Sequence, residues 1–270
     1  MDHREGFFKG HQDFSIYYQC WLPETSARAV LLVAHGYAEH SGRYQNLVDY
    51  FVPRGYAVYA LDHRGHGRSD GERVQVDQFS DYLTDLKTFF DLVVKDCPGK
   101  KVFLVGHSMG AGISTAYVVE HQGELAGLVL SGGGIAPREG TAPAAAAAAA
   151  PRARTGDLSS ALSRDPAVAE AYRNDPLVYH GPPPDRRASA MSAMRSRLPD
   201  QVPSIKLPIL IMAGNGSPLG DGPRSQALYD AVGSPDKTLK LYEGLLHEIF
   251  NEPEHPQVMA DLAAWLEAHV

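Results

Sequence analysis

Short apolar runs recur along the chain, at Ala29–Ala34 (AVLLVA), Tyr56–Leu61 (YAVYAL), Val102–Val105 (VFLV), Leu125–Leu130 (LAGLVL) and Pro208–Met212 (PILIM). Runs of this length with little polar alternation predict strands buried on both faces, the habit of a parallel sheet. Between them, apolar residues spaced by three and four predict helices. Tyr44, Leu47, Val48 and Phe51 mark one within Ser41–Phe51, and Phe79, Leu83, Leu86, Phe90 and Val93 mark another over Phe79–Val94. An aromatic and β-branched stretch, Phe14–Trp21, reads as an earlier strand ended by Pro23, and Thr238–Tyr242 as the last strand. Ser225–Val232 and Gln257–Val270 complete the helices. Strand alternating with helix is the pattern of an α/β fold, a mostly parallel sheet with helices on both faces.

The alternation breaks at Gly132. Pro137–Arg154 contains an unbroken alanine run, Ala144–Ala150, between Pro143 and Pro151, and it has too few large apolar residues for a core; it reads as a short helix or a linker. Helical segments follow within Leu162–Val178 and Ala188–Leu198, the latter with Met191 and Met194 on one side, and Pro182–Pro184 punctuate them. Residues 135–204 are therefore expected to form a helical cap inserted into a core made of residues 1–134 and 205–270.

Composition narrows the class. A formal charge of −7 and the absence of a basic stripe argue against nucleic acid. Cys20 and Cys97 are expected as thiols rather than as a disulfide framework or a metal site. No signal peptide or long apolar span is found, so the protein is expected in the cytoplasm, with peripheral membrane or micelle contact through the cap left open.

The candidate chemistry lies at the carboxyl ends of the predicted strands, where open parallel sheets place their sites. The run Val102–Val105 leads into Gly106-His107-Ser108-Met109-Gly110, followed by the small residues Ala111, Gly112, Ser114 and Ala116. Strand, glycine-flanked serine and helix form the setting in which G-x-S-x-G holds a nucleophile, Ser108, at a helix N-terminus. A serine hydroxyl needs a base and a group to orient that base. His247, directly after the last strand, is the candidate base. The loop Ala213–Asp221 holds one carboxylate, Asp221, which is the preferred orienter. Backbone N–H groups of Tyr37, beside the flexible His35-Gly36, and of Met109 are the candidate oxyanion donors. Asp62–Ser69 (DHRGHGRS) is read as a hydrogen-bonded turn supporting the oxyanion loop in preference to a metal cluster.

These residues resemble the monoacylglycerol lipase family of α/β hydrolases, bacterial members especially. The resemblance lies in His35–Tyr44 (HGYAEHSGRY), Leu61–Ser69, Gly106–Gly110, Ser163–Pro166 with Asp175–Val178, and Tyr242–Glu248 (YEGLLHE). It implies the α/β-hydrolase fold and a serine esterase cleaving monoacylglycerols or similar monoesters through an acyl-enzyme, without cofactor or metal. It assigns Ser108, His247, Tyr37 and Met109 the roles above. The chain departs from the family at the acid, whose usual position is occupied by Ser217, and in the alanine-rich cap. Either Asp221 reaches His247 from four residues later, or Ser217 and a water hold the imidazole less well. A lysophospholipase, a broad carboxylesterase, or a weakened ligand-binding homologue are the alternative functions.

Overall fold

In the computed structural model, residues 1–137, 158–182 and 184–270 are described. The alanine run lies outside them. Eight strands form one sheet: β1 (Asp2–Lys9), β2 (Ser15–Leu22), β3 (Ala29–Ala34), β4 (Tyr56–Leu61), β5 (Val102–His107), β6 (Gly127–Ser131), β7 (Ile209–Gly214) and β8 (Lys237–Tyr242). Their spatial order is β1-β2-β4-β3-β5-β6-β7-β8. β2 is antiparallel to β1 and to β4, and from β4 through β8 every pairing is parallel. The helices are α1 (Gln45–Phe51), α2 (Phe79–Asp96), α3 (Met109–His121), α4 (Ser159–Leu162), α5 (Pro166–Asn174), α6 (Asp185–Gln201), α7 (Asp221–Ala231) and α8 (His255–Glu267).

Every residue of β3, β4 and β5 is buried, and alternate residues feed two cores. Val30 and Leu32 point into a cluster with Phe89, Tyr117 and Leu228, while Leu31 and Val33 join Leu47, Phe51, Leu262 and Leu266 on the other face. This two-sided burial is why these strands carry no polar alternation. The close fit of α3 on the sheet depends on Gly110, where a Cβ would stand 2.0 Å from the carbonyl oxygen of Ala34.

Several elements differ from the sequence expectation: α7 starts four residues earlier than expected, at Asp221, α6 is longer at both ends, and β1 and α2 differ in kind. β1 has no counterpart in it, because an edge strand with mostly exposed residues lacks the apolar run that marks a buried one. In α2 the buried face is shifted: Tyr82 and Phe89 are buried while Phe79 and Leu83 are half-exposed, and Asp81 and Asp85 also lie inside. The shift follows from Arg64, whose guanidinium holds the Asp85 carboxylate through bonds of 2.7 and 2.8 Å. Both cysteines are free thiols, and burial pushes the Cys20 thiol up to about 11.

Candidate active site

Ser108 sits between β5 and α3 at φ 53° and ψ −112°. This conformation is strained for a residue with a Cβ, of order 1–3 kcal/mol, and persists only where its surroundings hold it. The Ser108 N–H donates to the Ser131 carbonyl at 2.9 Å, tying the turn to β6. Ser108 directly precedes α3, at the positive end of that helix.

The loop after β3 abuts this turn. A Cβ on Gly36 would lie 3.2 Å from the Ser108 Cβ, so the backbone just before Tyr37 passes close to the Ser108 side chain. Three supports hold that loop. The Gly36 N–H donates to Glu39 Oε1 at 2.5 Å, Ala38 turns the chain at φ 66°, and His35 Nδ1 bonds the Gly36 carbonyl at 2.7 Å. Nε2 of His35 accepts the His63 N–H at 2.9 Å, which leaves the proton on Nδ1. Burial keeps this imidazole neutral, lowering its pKa to about 3. Asp62 accepts the N–H groups of Ser41 and Arg68 at 2.7 and 2.8 Å, so its carboxylate is spent on the turn that carries His63.

His247 follows β8 and Asp221 opens α7. His247 Nδ1 and Asp221 Oδ2 are 2.7 Å apart, with the two side chains 7% and 1% exposed. Burial alone would raise the Asp221 carboxyl. The hydrogen bond and charge of His247, followed by the Ser217 hydroxyl, outweigh it and hold the group below the usual aspartate value. Its place in the first turn of a helix also favours negative charge. Burial alone would likewise lower the imidazole, but the bond to Asp221 and its charge, with Glu248 and Glu39 behind, hold it above the ordinary histidine value. The structure thus pairs His247 with Asp221, while the Ser217 hydroxyl accepts the Leu219 N–H at 3.2 Å. Ser108, Tyr37, His247 and Glu248 line one small cavity, and Ser108, Tyr37 and Met109 also line a larger one of about 470 Å³.

Sequence reasoning missed a buried charge cluster beneath this site. Arg43 forks onto Glu248 at 2.7 and 2.8 Å and reaches Glu39 at 3.3 Å. Burial and then the Glu248 charge raise the Glu39 carboxyl. Glu248 goes the other way: burial opposes ionisation, but the Arg43 charge prevails and lowers it. The signal was present, since Glu39 and Arg43 lie within His35–Tyr44 and Glu248 ends Tyr242–Glu248, yet their meeting depends on the fold. Among the described residues no group of three or more His, Cys, Asp or Glu is placed to hold a metal ion. Nor is any helix long and apolar enough to cross a membrane.

Residues 25–254 match the family described as serine aminopeptidase, S33. The chain is 39% identical to a monoacylglycerol lipase of Mycolicibacterium smegmatis, over 98% of each chain. The chain belongs to the monoacylglycerol lipase family of α/β hydrolases. Within that family, the human monoglyceride lipase is 34% identical over 86% of this chain and 79% of its own. The solved monoacylglycerol lipase of Paleococcus ferrophilus superposes with a TM-score of 0.76 at 27% identity, covering all of both chains. Membership makes the protein a carboxylic ester hydrolase, and its mostly parallel eight-stranded sheet with helices is an α/β-hydrolase fold.

Proposed function

We propose that the protein hydrolyses monoacylglycerols and similar carboxylic monoesters to fatty acid and alcohol through an acyl-enzyme on Ser108. The observation that carries this reading is the buried 2.7 Å contact between His247 Nδ1 and Asp221 Oδ2, beside a cavity that Ser108 shares. With Nδ1–H donated to the carboxylate, the Nε2 lone pair is the basic one. Nε2 takes the Ser108 proton as Oγ bonds to the acyl carbon, and the carbonyl pair moves onto oxygen, facing the N–H groups of Tyr37 and Met109. When the tetrahedral species collapses, the ester C–O bond breaks and the alkoxide leaves with the proton from His247. Water then attacks the acyl-enzyme, gives its proton to His247, and releases the fatty acid as Ser108 recovers its hydrogen.

Residues 135–204 are proposed as the cap. Its described part ties both catalytic loops: the Glu248 N–H donates to the Leu162 carbonyl at 2.7 Å, and the Tyr179 N–H to that of Ala38 at 2.8 Å. Among the described residues, the exposed large apolar side chains (Met1, Phe7, Val94, Leu241 and Val270) all lie outside this segment.

The test is release of fatty acid from a monoacylglycerol by the wild type and by Ser108→Ala. We expect the variant to fold, by circular dichroism, and to lose about 10⁶ in kcat, as serine hydrolases do when the nucleophile is removed. Undiminished turnover would exclude the mechanism.

A further inference from the structure

The cavity of about 470 Å³ beside Ser108 has a wall that is not uniformly apolar. From α6 come Arg187, Met191, Met194, Arg195 and Leu198, at spacings of four, three, one and three, which puts them on one helix face. Arg224 lines the same cavity from α7. An acyl chain would call only for the methionines and the leucine. Arg195 is exposed there, but Arg187 and Arg224 are half-buried, and a half-buried cation loses part of its hydration unless something negative meets it.

Nothing negative in the described protein does. No carboxylate lines the cavity, and among the described residues none of the three arginines forms an ion pair, whereas Arg186, one residue away and facing out, reaches Asp77 at 3.1 Å and Glu72 at 3.6 Å. Arg187 lies 3.9 Å over the Tyr37 ring and its Nη2 is 3.5 Å from Met109 Sδ. It therefore touches the side chains of both residues whose N–H groups face the ester oxygen. Its Nε is buried without a hydrogen-bond partner among the described residues. Among the described residues, the Arg224 side chain reaches only the Gly134 carbonyl, Nη2 lying 3.5 Å from it. Arg195 is exposed, and the buried part of its side chain, followed by the charges of Arg224 and Arg187, holds it below the ordinary arginine range. That mutual repulsion marks three cations sharing one space.

We propose that this cavity takes acyl esters whose alcohol carries a phosphate monoester, in preference to neutral ones, with Arg187, Arg195 and Arg224 as the cradle. Guanidinium forks match phosphate oxygens, and a dianionic group answers three cations better than a single carboxylate. The inference rests on Ser108 as the nucleophile. The alcohol product of that reaction is a phosphorylated polyol.

The test compares kcat/KM for a 1-acylglycerol and for a 1-acylglycerol 3-phosphate with the same acyl chain, both below their micellar concentrations. We expect the phosphate ester to be favoured by about tenfold or more, since a hydrogen bond to a charged group is worth about tenfold to a hundredfold. The preference should shrink with added salt. Arg195→Gln and Arg224→Gln should each reduce the ratio of the two rate constants about tenfold, and Arg195→Lys should restore most of it. A phosphate ester no better than the neutral one, or a ratio unmoved in both glutamine variants, would overturn the inference while leaving the proposed function standing. Cleavage of neither ester would remove both.

Discussion

His247 is set by its partner. Its pKa lies above the ordinary histidine value because Asp221 favours the charged form, so at low pH the ring is protonated and could not act as the proposed base for Ser108. Activity should therefore rise with pH through a midpoint above about 6.5, the ordinary histidine value. In Asp221→Asn that acidic limb should move to lower pH, and kcat should fall by about 10⁴, as it does when the orienting acid of a serine protease is replaced. Ser217→Ala should cost far less, because its hydroxyl faces Leu219 and only assists Asp221. A pH series of kcat/KM on the two variants separates these outcomes, and a larger loss in Ser217→Ala would reverse the assignment. The same contact shows what a sequence can reveal. The Ser108 turn is local, written in five adjacent residues. The partnership of His247 with a carboxylate 26 residues earlier depends on how β7 and β8 bring two loops together.

At the scale of elements, α2 illustrates where periodicity misleads. Its polar residues Asp81 and Asp85 would be assigned to solvent, but the turn after β4 delivers Arg64 onto them, and Asp85 is fully buried. Removing one partner of such a pair leaves an unpaired buried charge, so Asp85→Ala should destabilise the fold by about 3–5 kcal/mol. Urea denaturation would show this as a lowered midpoint; a change below about 1 kcal/mol would mean that Arg64 finds other partners. The strands were legible to within about two residues because burial on both faces leaves only apolar side chains. β1 was not, because its pairing with β2 rests on the backbone, while most of its side chains face water.

At the scale of the whole molecule, the proposed cap is tied to the sheet's loops. Glu252, itself fully buried, accepts the Leu246 N–H at 2.5 Å beside the base and also receives the Arg164 N–H and Nε at 3.1 and 3.2 Å. One carboxylate thus binds the loop of His247 to the segment leading into α5. Glu252→Gln keeps the shape but weakens charge-assisted bonds worth about 1.5–3 kcal/mol each. We expect kcat to fall about tenfold or more with a smaller change in melting temperature, because the loop loosens before the sheet does. Equal losses in both would mean that Glu252 serves general stability instead.

The placement of the site on strands β5, β7 and β8 also bears on how the protein comes into being. Ser108 and its turn are made early, when β3, β4, β5 and β6 can already pair, whereas Asp221 and His247 leave the ribosome only after residues 135–204. A half-synthesised chain would carry its serine without a base, and such a hydroxyl is a poor nucleophile at neutral pH. Nascent and truncated molecules would be inert toward the lipids around them, and reactivity would appear only as the final strand closes onto the sheet.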